Sequence, residues 1–564
     1  MVDLNSRRLG DLLTLFIGIT AIVLTNIIAS RSFYRFDLTE EGRYSIKPAT
    51  KAMLRELDDV VYVEVYLAGE LNAGFKRLQR SIRETLEEFR VYSGDNIQYT
   101  FSDPGAALSE SARGQFMQDL MARGIQPTNV IDQEEGQRVE KLIFPGAVIS
   151  YGGVEEGVML LGGNRAATAE EKLNQSIEGV EFELASAIRR LTTLERKKIG
   201  LVRGHGEMDS LEVESFNLTL VSNYEVDEVR LAREDLQSFD ALIIARPTSP
   251  FSEQDKFYLD QYLMKGGRLM LLIDRLQTNM DSASSESNFA FPYELNLDDQ
   301  LFKYGVRVNI DLVQDNSAAF YPVNIGNVGD QPQIRQMKWW FYPIINRFGD
   351  HPVTNNMDGI LGKFVSTIDT VRATSVKKTP LLFTSDYSRT VTAPVRVSVT
   401  DLRKNLTPEM LDRSALPVAW LLEGRFESVY RNRFKPEGVR EEGFADASIS
   451  EGKLLIVGDG DIARNEISPG TGRPQPLGFY PFAPAEFANE DFLMNALSYM
   501  LDEDGIITAR NKEIRIRPLN KVKTDREKLK WQTINLVLPI VLVILYGVAR
   551  FYLRKRKYTG FKTE

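Results

Sequence analysis

No cysteine occurs in the 564 residues, and histidine occurs only twice, at His205 and His351. The first absence excludes a disulfide framework, thiol chemistry and a cysteine zinc site. The second argues against a histidine-rich metal centre and confines imidazole catalysis to two positions. No G-x-x-x-x-G-K-[ST] loop is present, so ATP hydrolysis by that route must come from another subunit. No G-x-S-x-G nucleophile elbow is present either. Positive charge is not in excess. The net charge is −9 and the pI about 5.3, which gives no basic face for nucleic acid. With 43% hydrophobic and 26% charged residues, the composition is that of folded domains.

Long apolar runs are also scarce, and the two that exist stand near the two ends. Leu12–Ala29 carries one strongly polar side chain, Asn26, and follows Arg7 and Arg8. Its core is longer than the roughly 7–15 residues of a cleaved leader, and Asp3 and Asp11 do not suit one. For Ile534–Leu553, Trp531 just before it and Tyr552 near its end fit the interfacial belts, with Arg550 placed to snorkel. The basic run Arg554–Lys557 follows it and argues against a buried core helix. Each run is close to the roughly 20 residues that cross a bilayer. The expectation is a two-pass protein. Residues 1–31 form a cytoplasmic tail and first span, and 519–564 form a juxtamembrane segment, second span and basic tail. The terminal cluster favours tails inside and the bulk of the chain in the periplasm, although Lys521, Lys523, Arg526, Lys528 and Lys530 nearly balance the local count.

Between the runs, the chain reads as α/β. In 32–168, Ser45 or Thr50 is placed to cap a helix Lys51–Leu57. Val60–Tyr66 and Ile97–Phe101 read as strands, Phe75–Val91 and Ser111–Arg123 as helices, and strands follow near 142–144, 147–151 and 158–161. This order suggests a small α/β domain, thioredoxin-like in outline but without a C-x-x-C pair. Residues 169–196 read as a long linking helix. A second, larger α/β domain spans 197–518. Its short apolar strands, at Ile199–Val202, Ala241–Ala245, Arg268–Asp274 and Lys453–Val457, alternate with helices and imply a parallel sheet. Residues 311–445 read as an irregular, strand-rich insertion. Asn279–Asn288 reads as a flexible loop, Asp491–Leu501 as a helix, and Ile506–Ile516 as a final strand.

Ligands of parallel sheets gather at the carboxyl ends of the strands. Gly204, His205, Gly206, Glu207, Arg246 and Asp274 fall there, as do Asp459 and Asp461 in Gly458-Asp-Gly-Asp461. These are the candidate ligand-binding residues. His205 and Glu207 could exchange a proton, but no nucleophile accompanies them and no residue is assigned as catalytic. The alternative for Gly204–Glu207 is a structural turn. Asp459 and Asp461 have part of a calcium loop's spacing but not its terminal Glu, so no metal is assigned. Asp461 could instead cap the following turn. Trp339-Trp-Phe-Tyr342 reads as buried packing rather than a binding surface.

Taken in order, Arg35-Phe-Asp-Leu-Thr39 with Tyr44, Ser45 and Thr50, then Gly204–Glu207, Gly266–Asp274, Gly458–Asp461 and Asn489–Phe492 with Asn495 resemble the GldG family. That family is the gliding-motility-associated auxiliary, substrate-binding-like component of an ABC transporter in Bacteroidetes. The resemblance implies a GldF-like permease and a GldA-like ATPase as partners. It also implies a second domain like the class I glutamine amidotransferases, without their nucleophilic cysteine. The expectation is a non-enzymatic inner-membrane subunit with no cofactor, whose periplasmic body meets a solute, an envelope polymer or a protein. The alternatives are a membrane-anchored hydrolase or transferase built on His205 and Glu207, and a purely mechanical scaffold.

Overall fold

The computed structural model describes residues 7–31, 45–104, 110–134, 137–162, 168–193, 195–232, 235–283, 288–328, 331–403, 406–439, 443–484, 486–511 and 521–559. The expectations on Arg35–Tyr44, on residues 284–287 of Asn279–Asn288 and on 512–520 lie outside them.

The chain divides into Met1–Lys512 and Glu513–Glu564. The first unit opens with α1, Arg7–Arg31. Among the described residues, the apolar helix within it is Leu15–Asn26.

A small domain follows, with α2 at Pro48–Arg55, β1 at Val61–Val65, α3 at Ala73–Tyr92 and β2 at Ile97–Phe101. Then come α4 at Glu110–Ala122, β3 at Thr128–Glu134, β4 at Gln137–Ile143, β5 at Gly146–Tyr151, β6 at Val154–Met159 and α5 at Ala169–Thr192. The sheet order is β2-β1-β5-β6, with β1 and β2 parallel and the other pairs antiparallel. The hairpin β3-β4 stands apart from it. The apolar stripe of α3 (Phe75, Leu78, Ile82, Leu86, Phe89) and that of α5 (Leu173, Val180, Leu184, Ile188) close on one core with Val61, Val63 and Val65. Thus α5 buries a face in the small domain as well as leading onward.

The start of α2 differs from expectation. Pro48 occupies the first turn and Lys47 is the N-cap, with no side-chain cap bond. Thr50 Oγ1 instead donates to Glu181 Oε1 on α5 at 2.9 Å, and Lys47 N–H donates to the same oxygen. A tertiary acceptor has taken the hydroxyl that could have served as a local cap.

The larger domain holds β7 at Lys198–Val202, α6 at Glu214–Asn223, β8 at Glu225–Val229, β9 at Ala241–Ala245, α7 at Glu253–Met264 and β10 at Arg268–Leu272. A short helical turn, Met280–Ala283, precedes α8 at Asp298–Tyr304. The strand-rich stretch includes the long hairpin of β11 at Ala318–Val328 and β12 at Gln331–Ile345, then β13 at Arg347–Phe348, β14 at Val376–Phe383 and β15 at Pro417–Gly424. β16 at Gly452–Val457 and α9 at Asn489–Leu501 complete the domain.

The main sheet has the order β13-β14-β15-β16-β10-β9-β7-β8. β16, β10, β9, β7 and β8 run parallel, and β13, β14 and β15 add an antiparallel edge. Three strands of the stretch expected to be an insertion therefore belong to this sheet. Its two faces are both covered. Ile199, Ile243, Met270 and Leu455 pack with Phe216 of α6 and Phe492 and Leu497 of α9. Leu242, Ile244, Leu271 and Ile456 pack with Leu259 and Tyr262 of α7 and Leu301 of α8. Coverage on both sides is why the parallel strands read as continuous apolar runs.

Ile506–Asn511 is a 3-10 turn, not a strand. Asp502 accepts from the N–H groups of Gly505 at 2.8 Å and Ile507 at 2.9 Å, and this local capping curls the backbone.

In the second unit, α10 runs from Lys521 to Thr559 without interruption at Pro539. Its segment Arg526–Arg556 is long and apolar enough to cross a membrane.

Candidate functional site

Two groups of side chains form at the carboxyl ends of β7, β9, β10 and β16. The first is the turn after β7. Gly206 has φ +71°, and a Cβ there would stand 2.2 Å from Thr248 Oγ1. Glycine meets both demands, since it takes positive φ without strain and lets the chains touch. The His205 carbonyl accepts from Thr248 N–H at 2.9 Å and Ser249 N–H at 2.8 Å. Glu207 Oε2 folds back to accept from the N–H groups of Gly204 and His205.

The His205 ring is buried and stacked on Phe251, with centroids 3.7 Å apart and planes 9° from parallel. Nδ1 lies 3.0 Å from Glu207 Oε1 and Nε2 lies 3.3 Å from Asp255 Oδ2. Burial by itself would lower the imidazole pKa. The hydrogen bonds and negative charges of Asp255 and Glu207 outweigh it and raise it to about 9. The hydrogen bond from His205 holds Asp255 below the usual carboxylate range. Burial pushes Glu207 up, but its bonds to His205 bring it below that range as well. His205 is therefore an imidazolium at neutral pH, clamped between two carboxylates. In that state it is a cation with no lone pair to act as a base.

The second group is a buried charge cluster. Arg246 follows β9 and has φ +56°, a left-handed conformation uncommon outside glycine. Its Nε donates to Asp274 Oδ2 at 2.7 Å and lies 3.2 Å from Asp461 Oδ1. Asp274 Oδ1 accepts from Gly460 N–H. Gly460 must lack a side chain, because a Cβ there would sit 2.7 Å from Arg246 Cγ. Asp459 Oδ2 accepts from Lys363 N–H at 2.8 Å, while its Oδ1 has no hydrogen-bond partner. Asp274, Asp459 and Asp461 are 3%, 1% and 4% exposed, so the Arg246 guanidinium pairs with two of three nearly dry carboxylates.

Burial, then repulsion from Asp461, pushes Asp274 up to about 7 against the pull of Arg246. Burial and repulsion from Asp274 and Asp461 push Asp459 well above the carboxylate range. Carboxylates crowded in this way retain a shared proton near neutrality. Arg246 occupies the space between Asp274 and Asp461. Among the described residues, no group of three or more His, Asp or Glu is arranged to hold a metal ion.

The candidate residues thus sort into Gly204, His205, Gly206 and Glu207 in the turn, and Arg246, Asp274, Asp459 and Asp461 in the cluster. The segment 246–249 joins the two groups. Asp461 does not cap the turn it begins. Gly460 is the N-cap, and the Asp461 carboxylate turns to Arg246 and Arg464. Sequence reasoning missed Phe251, Asp255 and Lys363. The pattern Ser252-x-x-Asp255 was a usable signal, because it is a helix-start pair and the Asp255 carboxylate carries on to His205. The aromatic run is core as expected, with Trp339, Phe341 and Tyr342 buried beside Phe364.

The family model described as an ABC-type uncharacterized transport system matches residues 196–496, more than half of the chain and all of the parallel sheet. The chain belongs to this family. Membership makes it an auxiliary component of an ABC-type transport system, and the apolar helix α10 is consistent with membrane association. A domain of unknown function matches residues 40–150, which hold most of the smaller sheet. A protein of Borreliella burgdorferi, described as uncharacterized, is 19% identical over 573 residues, covering 97% of this chain and 99% of its own length. A solved structure described as the mmIFT52 N-terminal domain is 13% identical, with a TM-score of 0.31, over 54% of this chain and 97% of its own.

Proposed function

We propose that this protein is a non-enzymatic, membrane-anchored subunit that serves an ABC permease and its ATPase from the extracytoplasmic side of a bacterial inner membrane. α10 carries this reading. Its 39 residues extend about 58 Å at about 1.5 Å per residue, against a hydrocarbon core of about 30 Å. The surplus forms a stalk of more than two turns on the domain side, with Trp531 at the expected interface. α1 supplies the second anchor, so that both tails lie in the cytoplasm. The partners are a GldF-like permease and a GldA-like ATPase, in gliding or another envelope task. The small domain is thioredoxin-like and the larger one amidotransferase-like. The locked imidazolium of His205, with no nucleophile in contact, supports the non-enzymatic reading over a hydrolase or transferase.

The chain has no cysteine, so single-cysteine variants report topology directly. Asp58→Cys is expected to react with an impermeant maleimide in intact cells. Asn5→Cys and Glu564→Cys are expected to react only after lysis. Labelling of residues 5 and 564 on opposite faces would refute the hairpin.

A further inference from the structure

A cavity of about 330 Å³ opens between Gln175 of α5 and the segment Asn346–Met357 of the larger domain. Clefts where domains meet are favoured places for small ligands, and this volume lies at the lower end of their range. Its lining is rich in carboxamides: Gln175, Asn346, Asn355 and Asn356, joined by Thr354 and Phe348. Lysine and arginine are absent from the lining, and Asp350 is its one carboxylate. Arg510 lies behind Asn355 but stacks on Phe182, 5.2 Å from the ring centroid.

Two of the amides are fixed from behind. Asn355 Nδ2 donates to the Arg510 carbonyl, and Asn356 Nδ2 donates to Glu178 Oε2 at 3.2 Å. Fixing the nitrogens leaves the amide oxygens as acceptors with no hydrogen-bond partner among the described residues. Asn356 is held at φ +54°, and non-glycine residues kept in such conformations cluster at ligand clamps. His351, at the cavity wall, accepts from Val353 N–H at Nδ1, which leaves its proton on Nε2. Burial lowers its pKa to about 4, so it adds no charge.

An anionic ligand would call for arginine, lysine or a helix N-terminus, and a cationic one for more than a single carboxylate. Amides offer donors and acceptors together, which matches hydroxyl groups that are both at once. We propose that this cavity binds a neutral saccharide unit of a glycan. The assignment goes beyond the transporter-subunit reading and does not depend on it.

The test applies the full-length protein in detergent to an array of neutral and anionic glycans, with calorimetry on any glycan bound. Neutral glycans are expected to bind. Asn346→Trp fills the cavity from an exposed position, and Asn356→Gly removes one amide while keeping the backbone conformation. Each is expected to weaken binding by about tenfold or more while the melting temperature of Asn346→Trp stays at the wild-type value. An array with no bound glycan, binding confined to anionic glycans, or wild-type affinity in both variants would each overturn the proposal.

Discussion

Replacing Arg246 by alanine is expected to destabilise the larger domain by about 3–5 kcal/mol at pH 8, the cost of stranding buried charge. Its guanidinium bridges Asp274 and Asp461, and all three carboxylates of the cluster are almost fully buried. Without it, Asp274 and Asp461 must face each other in a medium that screens little. The loss should shrink towards pH 5, because protonating Asp274, at about 7, and Asp459 removes the repulsion. Arg246→Ala combined with Asp461→Asn should recover part of the loss, as expected for coupled neighbours. Urea unfolding of the full chain in detergent, followed by tryptophan fluorescence, reads both effects. A loss below about 1 kcal/mol, the scale of an exposed pair, would mean that the cluster is not a charge-balanced unit.

Stability should also fall between about pH 6.5 and pH 9 because of His205. Its pKa rises from 6.5 to about 9 on folding. A group raised in this way contributes its full stabilisation below the unfolded value of 6.5 and loses it as pH climbs through about 9. The shift corresponds to roughly 2–3 kcal/mol after allowance for the partly solvated Asp255. Asp274 has the same sign, so it adds to the decline, chiefly below and around pH 7. His205→Gln keeps a hydrogen-bonding side chain between Glu207 and Asp255 without the titration. It should flatten the stability–pH curve above pH 6.5. Parallel curves for wild type and variant would show that the clamp does not hold an imidazolium.

Much of this organisation was legible in the sequence. Ala241–Ala245 and Lys453–Val457 stood out because a strand covered on both faces needs apolar residues at successive positions. The helices α3 and α5 stood out because each buries one stripe. β14 and β15 were not legible, because they join the main sheet through partners far away in sequence. Pro380 also interrupts β14 where its register against β15 shifts, between Pro380 and Leu382. Within the site, glycines and carboxylates at strand ends pointed to the right loops. They could not show that Asp255, 50 residues from His205, closes the imidazole clamp, or that Lys363 reaches Asp459 from the strand-rich stretch. Such pairings are set by the packing of helices and loops onto the sheet and leave no local periodicity.

The measurement that bears most directly on the central claim is isolation of the full-length chain from native membranes in mild detergent, with its partners identified by mass spectrometry. An ABC ATPase and a permease recovered in fixed ratio with this chain, and lost when residues 521–559 are deleted, is the expected result. A chain recovered alone from intact membranes would contradict the account.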